Sequence, residues 1–273
     1  MTETRKDLVW IKRIAFVIAL GLLAYFITMT IVIPVYRFKI ESPVTNASDK
    51  NIFRPDLTWQ ITVNDSIKQR AIDLVFSESF LLSKIEMTKS DSISLTVNLQ
   101  DSVVALVVQG LTIYSTKAKT FKISHAFAKT DPFILAQWLA IPFVVDTHYA
   151  SIPKVPVLYK KAPKDTIEAM SQVEMDPLND EIDPVYFRLE LDRKLILNFN
   201  QEEAPEKESM RQVKTYQRRM RKIERHDIID HLSRFSPTEF IPEIHISIDK
   251  KAARVIYRAI PERAFVAVQL PTE

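Results

Sequence analysis

The sequence holds five histidines and no cysteine, so histidine is the only side chain whose ordinary pKa lies near neutrality. Proton-transfer or metal chemistry must therefore start with His125, His148, His226, His231 or His245. His226 and His231 stand five apart in HDIIDH. On a helix that spacing turns the two rings about 140° from each other, whereas a zinc pair needs i,i+4. They read as polar surface residues. His245 falls on the solvent phase of an alternating strand. His125 and His148 flank an apolar segment, Phe133–Val145, and with Asp146 they mark the one place where a pocket with acid–base or metal chemistry can be drawn.

Two further constellations resemble chemistry and fall short of it. Glu174, Asp176, Asp180, Glu181 and Asp183 offer the carboxylate oxygens that a hard cation prefers. They lack the alternating Asp/Asn and the glycine of a calcium loop, and Pro177 and Ile182 interrupt them, which leaves a solvated acidic loop and a candidate internal boundary near 174–183. Ser247 and Lys250 spell SxxK, but neither SDN nor KTG accompanies them, so the spacing is coincidence. No catalytic or cofactor-binding residue is assigned.

Composition excludes whole classes. Without cysteine there are no disulfides, thiolate zinc sites, iron–sulfur clusters or cysteine nucleophiles. With only Gly21 and Gly110, no GxxxxGK[ST] loop, GxGxxG turn or GxSxG elbow can be written.

One charge feature stands out. Lys207, Arg211, Lys214, Arg218, Arg219, Arg221, Lys222 and Arg225 face only Glu208 and Glu224 over Lys207–Arg225, so eight bases less two acids leave +6. Met210, Val213, Tyr216, Met220 and Ile223 recur at three and four, predicting a long helix over about 206–234 with a narrow apolar seam. Arg211, Lys214, Arg218, Arg219, Arg221, Lys222 and Arg225 are the candidate interaction residues, for anionic lipid head groups or an acidic envelope protein. Residues 14–273 carry 33 bases and 32 acids once the four bases and two acids of 1–13 are set aside, a balance that argues against nucleic acid.

The elements that must position these residues begin with Ile14–Val35, an uncharged apolar run. As one α-helix it would extend about 33 Å, enough for a hydrocarbon core of about 30 Å. Trp10 and Tyr36 flank it as interfacial aromatics do. The run exceeds a signal peptide's apolar region and no cleavage site follows closely, so it reads as an uncleaved signal anchor. The expectation is a single-pass protein of the inner membrane: 1–13 a cytoplasmic tail, 14–35 the bilayer-spanning segment, 36–56 a juxtamembrane linker, and 57–273 an extracytoplasmic (periplasmic) domain.

That domain is predicted to be α+β. Ile67, Ala71, Leu74, Val75, Leu81, Leu82 and Ile85 give a first helix its apolar side. Alternation in 92–99, 102–108, 111–115 and 120–124 predicts a meander of four antiparallel strands. Phe133–Val145 includes a short apolar core helix, with an interfacial membrane contact as the alternative. A hairpin over 185–199 follows. Glu243–Ile248, Lys250–Ile260 and Phe265–Leu270 predict a closing strand–helix–strand unit with a parallel crossover. The functional expectation is a non-catalytic, membrane-anchored scaffold or assembly domain; the alternative is an anchored envelope hydrolase using carboxylates or His125 and His148.

Overall fold

Strands form where branched and aromatic side chains alternate, and half of the buried apolar residues lie in the strands of one sheet. The computed structural model describes residues 16–34, 40, 65–154, 183–207, 209–234 and 236–271. In chain order the strands are β1 (Ser94–Asn98), β2 (Val103–Val108), β3 (Leu111–Lys117), β4 (Thr120–Ile123), β5 (Phe143–Ala150), β6 (Tyr186–Leu191), β7 (Leu195–Gln201), β8 (Glu243–Ile248) and β9 (Phe265–Gln269). They join one nine-stranded sheet in the order β3-β2-β1-β9-β5-β6-β7-β8-β4. The helices are α1 (residues 16–27), α2 (Asp65–Met87), α3 (Pro132–Leu139), α4 (Met210–Ser233) and α5 (Lys250–Ala259). The architecture is mixed α+β.

The chain divides into two units. The larger comprises 40–217 and 242–273 and contains the sheet; the smaller comprises 1–39 and 218–241. The first two turns of α4 belong to the larger unit and the rest of it to the smaller.

Within the larger unit, β1, β2 and β3 run as an antiparallel meander. Gly110 closes the β2–β3 turn at φ +84°, and a Cβ there would meet the Thr88 methyl at 3.0 Å. Strand β5 links the two halves of the sheet. Phe143 and Val144 pair with β9, while Val145 and the residues from Thr147 to Ala150 pair with β6; the register shift between them leaves Asp146 exposed on a bulge.

Two predicted connections differ. Strand β4 does not extend the meander; it pairs antiparallel with β8 at the far edge. The strand–helix–strand ending is not a parallel crossover. β8 lies parallel to β7, with Leu197 opposite Ile244 and Phe199 opposite Ile246, whereas β9 sits between β1 and β5. Traced through β7, β6 and β5, β8 runs antiparallel to β9. Alternation marks a strand's dry face but carries no information on which neighbour will cover its edge.

Helix α2 is turned the other way from its apolar count. Phe76, Phe80 and Met87 are buried together with Ser79 and Ser83, and Phe80 and Met87 pack on Ala267 with Phe265 alongside. Ile67, Leu74, Leu81 and Ile85 are exposed. The aromatic rings bring more area to the contact, and the serines let the backbone approach the sheet. Helix α3 is core: Leu135, Ala136, Trp138 and Leu139 are buried, and Trp138 meets Phe143 edge-on at 4.8 Å. Asp131 caps it through the N–H groups of Phe133 and Ile134.

The membrane-spanning expectation for 14–35 is overturned. Among the described residues no helix is long and apolar enough to cross a membrane. Within the described residues the α-helical ladder is continuous only over 16–27. It gives way to a π-helical turn at Thr28–Val32, where the Ile33 N–H bonds to the Thr28 carbonyl. Counting apolar residues assumes one uninterrupted ladder; Thr28 and Thr30 sit in that turn and donate their hydroxyls to the Ala24 and Phe26 carbonyls at 2.8 and 2.7 Å. The single-pass, signal-anchor and inner-membrane assignments fall with it. In the same unit Thr238 donates to the Thr30 carbonyl. The proposed tail 1–13 and nearly all of the linker 36–56 lie outside the described residues.

Candidate functional site: the basic face of helix α4

Helix α4 is positioned by its apolar seam and by its two ends. Val213 is buried, and Tyr216 stacks on Tyr186 of β6 with ring centroids 6.4 Å apart. Gln212 donates to Asp183 at 2.8 Å, which ties the first turn to the chain entering β6. At the other end the Ser236 N–H bonds to the His231 carbonyl at 2.9 Å, and the Ser236 hydroxyl lies 3.1 Å from His231 Nδ1. His231 therefore closes the helix, while His226 is exposed.

With the seam placed, helix geometry fixes where the bases point. At about 100° per residue, Arg211, Lys214, Arg218, Arg221, Lys222 and Arg225 fall within an arc of about 100° on the side opposite Val213, Tyr216 and Met220. All six are exposed, over about 21 Å of helix. Arg219 is exposed but outside that arc. No apolar residue interrupts the stripe from Arg211 to Arg225.

The histidine constellation does not assemble. His125 is exposed after β4, and Asp146 is exposed on the β5 bulge. Among the described residues no group of three or more His, Cys, Asp or Glu side chains stands ready to hold a metal ion. Of the acidic cluster only Asp183 is described; the other four lie outside the described residues. His245 is exposed and contacts Glu243 at 3.3 Å. Ser247 sits on β8, and the Lys250 backbone N–H donates to Glu203 at 3.0 Å.

His148 has a packing role that spacing did not reveal. It is half-buried on β5, its ring edge-on to Tyr257 of α5 at 5.9 Å, and Lys154 Nζ lies 5.7 Å from the same tyrosine ring. Burial holds the His148 pKa below its ordinary value, Lys154 adds to the depression, and Glu262 opposes it. Burial also lowers Lys154, again against Glu262. The folded state therefore favours neutral imidazole. The unfolded chain binds the proton more readily, so His148's contribution is full above about pH 6.5 and is lost as pH falls through the lower folded pKa. Thermal unfolding of His148→Gln should show a midpoint that falls less between neutral and mildly acidic pH than the wild type's.

Arg193, which no motif signals, is a structural cation of the larger unit. Its guanidinium donates to the Trp138 and Ile141 carbonyls at 2.6 and 2.7 Å and lies 3.9 Å from the centre of the Phe143 ring. It closes the C-terminal end of α3, while its Nε is buried 3.9 Å from Asp192 with no hydrogen-bond partner among the described residues. The chain matches no family model, no curated protein and no solved structure.

Proposed function

We propose that this protein is a non-catalytic interaction module that takes an acidic segment of a partner protein on the basic stripe of α4. The observation that carries the reading is the confinement of six exposed bases to one arc of a helix whose apolar side is occupied by Val213 and by the Tyr216–Tyr186 stack. An interfacial lipid-binding helix needs apolar residues free to enter the head-group region beside its bases. From Arg211 to Arg225 the stripe is purely cationic, with exposed Ile229 following only a turn beyond it, and Val213 is buried, which favours an acidic polypeptide over a bilayer surface.

The test is binding of a labelled glutamate–serine peptide to the full chain and to Arg218→Glu/Arg221→Glu/Arg225→Glu. These side chains are exposed, so the variant should keep the wild-type circular dichroism spectrum. Wild-type binding should weaken as salt shortens the screening length, and the variant should lose about tenfold or more in affinity. Unchanged affinity in a folded variant would refute the assignment. Stripe-dependent binding to anionic vesicles or RNA, with none to the peptide, would replace the acidic polypeptide by that ligand.

A further inference from the structure

Helix α2 carries an exposed apolar seam that no described element covers. Ile67, Leu74 and Leu81 recur at seven, Ile85 follows at four, and they are 58, 70, 56 and 60% exposed. Ala71 and Glu78 complete a pattern of alternating steps of four and three over about 27 Å of helix. This is the spacing of a helix-pairing seam. The opposite side, which faces the protein, is where the sequence places Ser79 and Ser83, both fully buried. The Ser79 hydroxyl is satisfied by its own helix, donating to the Val75 carbonyl at 2.7 Å. The aliphatic residues are thus arrayed outward in heptad register, while Phe76, Phe80 and Met87, with Ser79 and Ser83, make the internal contact.

Charge decides the occupant. With Ile67, Leu74 and Leu81 at d positions and Ala71, Glu78 and Ile85 at a, the flanking e and g positions hold Lys68, Arg70 and Lys84 together with Val75, Ser77 and Leu82. Three bases and no acid border the seam, with Glu78 inside it. A second copy of the helix would gain no opposite-charge pair at its flanks. Pairing antiparallel about its middle, it would set Arg70 against Lys84 and bury Glu78 against Leu74; pairing parallel in register, it would set Glu78 against Glu78. A helix with acidic flanks and a base facing Glu78 meets every one of these groups with its opposite.

We infer that the α2 seam docks an amphipathic helix of another protein, one with leucine or isoleucine at a and d and Glu or Asp at e and g. This surface is separate from the α4 stripe and does not depend on that reading.

The experiment uses the full chain and two labelled three-heptad peptides with Ile and Leu at a and d. One carries Glu at every e and g with Lys at the central a; the other carries Lys at e and g with Glu at the central a. Like charges on each peptide's flanks suppress its self-pairing. Anisotropy should show the Glu-flanked peptide binding about tenfold or more tighter than the Lys-flanked one. Leu74→Glu/Leu81→Glu should reduce that binding about tenfold or more, and Leu74→Ala/Leu81→Ala by less, with thermal midpoints near wild type because both side chains are exposed. Arg218→Glu/Arg221→Glu/Arg225→Glu should bind the peptide as the wild type does; loss there would put the peptide on α4 and overturn the proposal. Equal binding of the two peptides, or full binding by a folded Leu74/Leu81 variant, would also overturn it. A dimer in sedimentation that Leu74→Glu/Leu81→Glu dissolves would give the seam to a second copy instead.

Discussion

Phe187→Ala is expected to cost about 3–5 kcal/mol of folding free energy, the range for deleting a fully packed aromatic ring. Phe187 is 1% exposed and stands where two strands and a helix meet. Its ring stacks on Phe199 of β7 at 4.5 Å and 10°, and on its other contact meets Tyr257 of α5 at 5.3 Å. Removing it leaves both neighbours facing a void that backbone shifts in a central sheet cannot close. Against a total stability of about 5–15 kcal/mol, that loss moves the protein close to its threshold. Urea unfolding should show a lower midpoint with an unchanged slope. Phe187→Leu, which keeps much of the volume, should cost less than half as much.

Arg193→Ala should destabilise by about 2–4 kcal/mol, although the residue sits in a hairpin turn. The side chain makes two short charge-assisted hydrogen bonds to the Trp138 and Ile141 carbonyls and lies over Phe143 at 3.9 Å. Both carbonyls belong to the end of α3, where a helix leaves acceptors without intrahelical donors. Beside it, Asp192 accepts the Val144 N–H at 2.8 Å, so the β6–β7 turn fastens α3 and β5 together. Lys has one nitrogen where the guanidinium has a fork, so Arg193→Lys should recover only a minor part of the loss. The backbone at Arg193 has φ +54°, a left-handed conformation that glycine adopts without penalty. Arg193→Gly should therefore be less damaging than Arg193→Ala, by about 1 kcal/mol. Thermal unfolding of the three variants separates side-chain from backbone effects. Equal midpoints for wild type and Arg193→Ala would mean that the fork contributes nothing.

The strands were legible because a period of two depends only on neighbouring residues. Leu95 and Val97 in β1, Leu195, Leu197 and Phe199 in β7, and Ile244, Ile246 and Ile248 in β8 are all buried where alternation places them. The basic arc of α4 was legible for the same reason, since helix geometry converts spacing directly into direction. The length of a regular ladder was not. In 14–35 a hydropathy count sees only side chains, whereas the backbone ladder passes into a π-helical turn at Thr28–Val32. Arg193 escaped notice because its partners lie more than fifty residues upstream.

What the sequence determined by itself is therefore local: which segments are strands, where the bases of α4 point, and which chemistries lack their residues; alternation put Ser94 and Thr96 on a wet face of β1, yet both are buried. Tertiary structure decided everything that needed a partner. It sent β4 to β8 rather than β3, separated β8 from β9, and turned the serine side of α2 inward, leaving Ile67, Leu74, Leu81 and Ile85 outside. It set His148 against Tyr257 instead of beside His125. Periodicity reports a side chain's direction relative to its own backbone, but burial depends on what arrives from elsewhere in the chain. A helix with two usable faces, like α2, can be oriented only by the sheet it meets.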